Sequence, residues 1–152
     1  MMMNIGPRPD GTVPGRQAKV MRQTGKWLER NGEAVYGMHA KLFSFNLLNA
    51  NMFSAKIDRK NWYYWLFIWP KDRAVGIGGF FSPPKKVSLL VGGMPVDFEY
   101  DGYRILLKGL PEKPPVEDAP TVLKLEFDEA PEFVPNSRYP QLTEGRFYQP
   151  GR

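Results

Sequence analysis

The 152-residue sequence has no cysteine and a single histidine. Without cysteine it can form no disulfide, thiol nucleophile or thiolate metal site, though this leaves the compartment undetermined. The lone His39 stands in no recognisable nucleophile pattern, and one histidine without cysteine makes a zinc site a poor reading. No apolar run reaches the roughly 18 residues that a membrane-spanning helix needs. No basic stretch followed by an apolar core marks a signal peptide. A soluble chain with no membrane partner is expected, its localisation otherwise unknown.

Proline and glycine are abundant instead, with 15 of each, which suits many short strands joined by turns. Hydrophobic content of 42% excludes a wholly disordered chain. The length allows one compact domain with loose ends. The net charge of +5 is uneven: residues 1–60 carry ten Lys or Arg against four acids, and the remainder eleven against twelve. Arg16, Lys19, Arg22, Lys26 and Arg30 recur at helical spacing and read as one solvated face. No nucleic-acid module accompanies them, so no nucleic-acid partner is expected.

Pro14 to Asn31 reads as a helix, with Gln17, Val20, Met21, Thr24, Trp27, Leu28 and Asn31 on one stripe. Gly32 suits a left-handed residue after its end. Gly25 inside it costs roughly 1 kcal/mol against Ala, and close approach of another element is the expected compensation. Beyond residue 40 the period becomes two. Strands are expected at Lys41–Phe45, Met52–Ile57, Trp62–Trp69, Ala74–Ile77, Lys85–Val91, Val96–Tyr100, Tyr103–Leu107 and Thr121–Phe127. Asp101-Gly102 has the residue types of a two-residue type I′ turn, which would set Tyr100 opposite Tyr103, Glu99 opposite Arg104 and Phe98 opposite Ile105. The pattern predicts a mostly β protein, an antiparallel β-sandwich preceded by one α-helix.

Trp62 to Trp69 is apolar on both faces. One face fills a sandwich core; the other needs the helix, a further domain or a sugar. Flat aromatic rings stack on pyranose faces, which makes Trp62, Trp65 and Trp69 candidate carbohydrate contacts. The loop Gly6 to Gly11 lacks the ending of a phosphate loop. Glu126, Asp128, Glu129 and Glu132 offer oxygen ligands but not the spacing of a calcium loop, so no metal and no cofactor is expected. Glycoside hydrolysis uses two carboxyl groups flanking the scissile bond, and no acid pair here stands out as placed for it. The sequence offers no catalytic residue.

Three stretches resemble the α-L-fucosidases of glycoside hydrolase family 29. Asn4-Ile5-Gly6-Pro7 with Asp10-Gly11-Thr12 and Pro14 is similar to the last barrel strand and its turn. Lys26-Trp27-Leu28 with Asn31-Gly32-Glu33-Ala34 and Tyr36-Gly37 resembles the last barrel helix and the passage onward. Trp69-Pro70-Lys71-Asp72, Leu110–Pro115 and Val122–Phe127 resemble the C-terminal β-sandwich. Met38-His39-Ala40 departs from the Thr-Arg-Pro-like continuation of that family.

The resemblance implies a retaining enzyme whose nucleophilic Asp and carboxylic acid/base both lie upstream of the matched region, so neither falls on this chain. It implies a remnant of the last barrel strand and helix at residues 1–37, a β-sandwich domain at 38–130 and a loose Pro-rich tail at 131–152. Gly6, Pro7, Arg8, Asp10 and Gly11 would then line the rim of a barrel site. The expected function is an accessory domain supporting a catalytic barrel absent from this chain, itself inactive. A fragment, a split subunit and a remnant reading frame all fit. The expected partner is a fucosidase barrel domain or subunit, with self-association through any uncovered interface. An autonomous carbohydrate-binding module taking fucosylated glycans is the alternative.

Overall fold

The computed structural model describes residues 6–39, 44–46, 51–116 and 119–133. Helix α1 (Gly15–Asn31) runs into a 3₁₀ turn (Gly32–Ala34). Eight strands follow: β1 (Ser44–Asn46), β2 (Asn51–Ala55), β3 (Asn61–Leu66), β4 (Val75–Gly78), β5 (Lys86–Leu89), β6 (Asp97–Tyr100), β7 (Arg104–Lys108) and β8 (Thr121–Glu126). They form a five-stranded sheet, β1-β2-β3-β8-β5, and a three-stranded sheet, β4-β7-β6, antiparallel throughout. The fold is the antiparallel β-sandwich preceded by one helix that the sequence pattern implies. The expected barrel-strand remnant, residues 1–5, lies outside the described residues, as does 134–152 of the expected tail.

The core lies between the sheets. Trp62 and Tyr64 of β3 meet Val87, Leu123 and Leu125 of their own sheet and Ile77, Ile105 and Leu107 of the other. Phe80 is its aromatic hub, with ring centroids 5.1 Å from Trp62, 5.3 Å from Phe127 and 4.7 Å from Phe133. Burying each such side chain contributes about 1.5–3 kcal/mol relative to leaving it in water. The alternate β3 residues, Tyr63 and Trp65, face away from this core. They join Val122 in a second cluster closed by Trp27, Ala34 and Val35 from the helix and its exit. The two apolar faces of β3 therefore serve two layers, sandwich core and helix.

Several local expectations change. β3 ends at Leu66, so Phe67 and Ile68 are exposed, while Trp69 turns back against the core. The hairpin register is Tyr100 opposite Ile105, Glu99 opposite Leu106 and Phe98 opposite Leu107. The loop is Gly102-Tyr103, with φ 97° at Gly102, the glycine-first geometry of a type II′ turn. Asp101 produces the shift: its Oδ1 accepts from the Tyr103 and Arg104 amides at 3.0 and 2.6 Å, and its Oδ2 from Arg104 Nε at 2.9 Å. Gly32 is right-handed, φ −57°. A Cβ there would lie 2.8 Å from the edge of the exposed Tyr36 ring, which would have to shift to admit it. Among the described residues nothing approaches Gly25, whose Cβ would meet no atom within 4 Å. No helix among the described residues is long and apolar enough to cross a membrane.

Candidate functional site

The helix–sheet seam concentrates the polar chemistry of the chain. Trp27 lays its ring 5.0 Å from that of Trp65, tilted 38°, and its Nε1 donates to Pro120 O at 2.9 Å. The buried Asn31 donates from Nδ2 to Trp27 O at 3.0 Å, fixing the last turn of α1. Beneath them Trp65 Nε1 donates to Ser54 Oγ at 3.0 Å, and Ser54 Oγ donates to Ala34 O at 2.9 Å. That relay ties the 3₁₀ turn to β2 and β3 and leaves none of its buried groups unpaired.

At the margin of the seam, Tyr63 Oη donates to Glu33 Oε1 at 2.8 Å, and Lys124 Nζ lies 2.8 Å from the same oxygen. Partial burial works against the Glu33 charge, but the bonds from Lys124 and Tyr63 outweigh it and hold the carboxyl below its ordinary range. Burial, then the bond to Glu33, pushes the Tyr63 phenol up, so it stays a donor. A carboxylate held ionised by two donors is an anchor rather than a proton donor for catalysis.

The loop before α1 is open to solvent. Gly6, Pro7, Arg8, Asp10 and Gly11 are all exposed. Asp10 Oδ1 accepts from Thr12 Oγ1 at 2.7 Å and Thr12 N at 2.9 Å, bonds that lower its carboxyl below the usual value. Gly11, at φ 78°, lets the Arg8 carbonyl accept its amide. Gly6 N donates to Gln17 Oε1 at 3.1 Å, fastening the loop to the helix.

The three tryptophans of the sequence reading occupy different layers. Trp62 is fully buried in the core and donates from Nε1 to Arg59 O at 2.7 Å; Trp65 is buried under the helix. Trp69 is half-buried and donates to Pro111 O at 3.0 Å. It borders a groove of about 310 Å³ shared with Phe67, Pro114, Val116, Pro120 and Thr121. A second, more open hollow of about 600 Å³ lies along α1 between Gly25, Leu28, Glu33 and Tyr36. Among the described residues, no three His, Cys, Asp or Glu side chains converge to hold a metal ion. Glu126 and Asp128 instead face Lys86 and Lys85, at 4.0 and 2.8 Å.

The family model for alpha-L-fucosidase matches residues 1–33, the loop and α1. Plasma alpha-L-fucosidase of Homo sapiens is 30% identical over 105 residues, 64% of this chain and 22% of that protein. The plasma alpha-L-fucosidase of Rattus norvegicus is 34% identical over 79 residues, 51% of this chain and 17% of that protein. The chain is similar to the C-terminal part of family 29 α-L-fucosidases. In fold, alpha-L-fucosidase isoenzyme 1 from Paenibacillus thiaminolyticus superposes with a TM-score of 0.69 at 22% identity, over 85% of this chain and 31% of that one. The Thermotoga maritima alpha-fucosidase gives 0.63 at 20% identity, over 81% of this chain and 29% of that one.

The chain thus spans between 17% and 31% of the fucosidases it matches. The family-model match falls on the helical side of the seam, so Trp27, Ser54 and Trp65 join that segment to the sandwich. Sequence reasoning missed Ser54, Thr121 and Phe67. Ser54 carries one signal, a small polar residue on the β2 face where alternation places apolar ones. Thr121 and Phe67 carry none, because their setting depends on where β3 stops.

Proposed function

We propose that this chain is the accessory C-terminal β-sandwich part of an α-L-fucosidase-like glycoside hydrolase, supporting a catalytic barrel outside it. The observation that carries this reading is the half-covered helix. One sector of α1, through Trp27 and Asn31, seats on the sandwich. The first half of the same helix leaves Val20 51% and Met21 39% exposed, and among the described residues a Cβ on Gly25 would meet no atom within 4 Å. Apolar side chains on an otherwise strongly basic helix are costly to leave wet, and Gly25 admits a close neighbour. The exposed loop Gly6 to Gly11 adjoins the same helix, which suits a place at the rim of the partner's site.

The test is co-expression of this chain with the barrel segment of a family 29 fucosidase that lacks its own matching C-terminal part. Co-purification and hydrolysis of a fucoside are expected from the pair, and no turnover from this chain alone. Val20→Asp with Met21→Asp should prevent association while leaving the sandwich folded. Failure to associate, or turnover traceable to a carboxylate of this chain, overturns the reading.

A further inference from the structure

We infer that the outer face of α1 is a docking strip for a linear polyanion, a sulfated polysaccharide. Arg16, Lys19, Arg22, Lys26 and Arg30 are all exposed. At 3.6 residues per turn they fall within an arc of roughly 120° and run about 21 Å along the helix. Gly15 and Gln23 share that arc, so no apolar or acidic side chain interrupts it. Glu29, at its margin, is the one acid of α1.

Five cations of the sandwich, Lys85, Lys86, Arg104, Lys108 and Lys124, each stand against a carboxylate. Among the described residues no ion pair engages the five cations of the helix. They are neighbours at i+3 and i+4, where like charges repel and weaken a helix. Its first turn holds Arg16 and no acid, against the helix dipole. Charges that weaken the free helix and are relieved by anions point to an anionic occupant.

The class of that occupant follows from what the strip lacks. With no aromatic or apolar side chain in the arc, it has no platform for stacked bases and no wedge for a lipid bilayer. A nucleic-acid duplex would have to admit α1 into a groove, yet Trp27 seats the second half of the helix on the sandwich. A sulfated polysaccharide asks only for a line of cations. Three of the five are Arg, whose planar fork grips an oxyanion with two bonds. The strip excludes Val20 and Met21, so this inference does not depend on the barrel reading.

The experiment is calorimetric titration of the whole chain with heparin in about 0.15 M NaCl, with dextran as the uncharged polymer. Saturable binding to heparin, none to dextran, and steep weakening with added salt are expected. Heparin attracts basic proteins in general, so two triple variants of equal charge are compared. Lys19→Gln, Arg22→Gln and Lys26→Gln clear the centre of the strip with a good helix former. Lys60→Gln, Lys71→Gln and Lys113→Gln remove three exposed cations elsewhere. The helix triple should weaken binding by about tenfold or more with its circular dichroism unchanged, the other triple by less than about threefold. In the parent chain, ¹H–¹⁵N shifts induced by a short heparin oligosaccharide should map to α1. Equal losses in the two triples, shifts mapping elsewhere, or no binding to heparin overturns the proposal. So does equal or tighter binding of a short DNA duplex or of vesicles of anionic phospholipid.

Discussion

Trp27 and Trp65 set their rings 5.0 Å apart, tilted by 38°, across the boundary between helix and sheet, 38 residues apart in sequence (65 − 27). Both indole N–H groups are committed, Trp27 to Pro120 O and Trp65 to Ser54 Oγ. The pair thus fixes the helix by ring contact and by the Trp27 bond to Pro120, while the Trp65 bond to Ser54 ties β3 to β2 beneath it. Because the first half of α1 exposes Val20 and Met21, this contact carries a large share of the helix's docking.

Trp27→Ala is expected to release α1 from the sandwich at a cost of about 2–4 kcal/mol, the sum of a lost aromatic pair, a hydrogen bond and part of a buried ring. Trp27→Phe keeps a ring and loses only the hydrogen bond, for about 1 kcal/mol. Limited trypsin digestion checks this. Cleavage at Lys26 and Arg30 should accelerate greatly in the Ala variant and modestly in the Phe variant, with the β core intact. Equal protection in all three proteins would show that the helix is held elsewhere.

Ser54 lies in the middle of a buried relay, so its loss strands two partners. Ser54→Ala should destabilise the chain by about 2–4 kcal/mol, since Trp65 Nε1 and Ala34 O both lose their bond. Trp65→Phe in the same background removes the stranded donor. The double variant should therefore be more stable than the sum of the two single losses predicts, by about 1 kcal/mol in a urea-denaturation cycle. Strict additivity would mean that the relay is not coupled.

Much of this architecture was legible because hydrophobic period is a strong signal. All eight expected strands have counterparts, and the doubly apolar run from Trp62 required a layer on each side of β3. The signal weakened where side chains competed with backbone. Asp101 takes amide bonds that its own carbonyl would otherwise receive, and this moves the hairpin by two residues while keeping the same faces inward. Gly32 was read through its backbone freedom, whereas its backbone is right-handed and the exposed Tyr36 ring lies over it. The groove at Trp69 was invisible because it forms between the end of β3 and a proline-rich connection distant in sequence.

The Asp101 turn gives a graded test of that competition. Asp101→Ala removes three accepted bonds from an exposed turn and should cost about 1–2 kcal/mol. Asp101→Asn retains an amide acceptor and should cost clearly less. Gly102→Ala places a Cβ at φ 97° and should cost about 1 kcal/mol or more. Thermal unfolding of the three variants orders them. A Gly102→Ala protein as stable as the parent would argue against the glycine-first turn.

The seam should also loosen in acid, through Glu33. Its carboxyl is held below the ordinary value of 4.5, so the folded state favours the ionised form. A depressed carboxyl contributes its stabilisation fully above the unfolded value, and that contribution is lost as pH falls through the lowered folded value. Below pH about 4 the bonds from Lys124 and Tyr63 should therefore weaken first at the 3₁₀ turn. Solvent screening of this half-exposed carboxylate keeps the effect modest. Helix detachment, followed by tryptophan fluorescence as Trp27 parts from Trp65, should begin at higher pH than unfolding of the sandwich. Glu33→Gln should flatten this acid limb while lowering helix protection at neutral pH. A limb unchanged in Glu33→Gln would assign the acid response to another carboxylate.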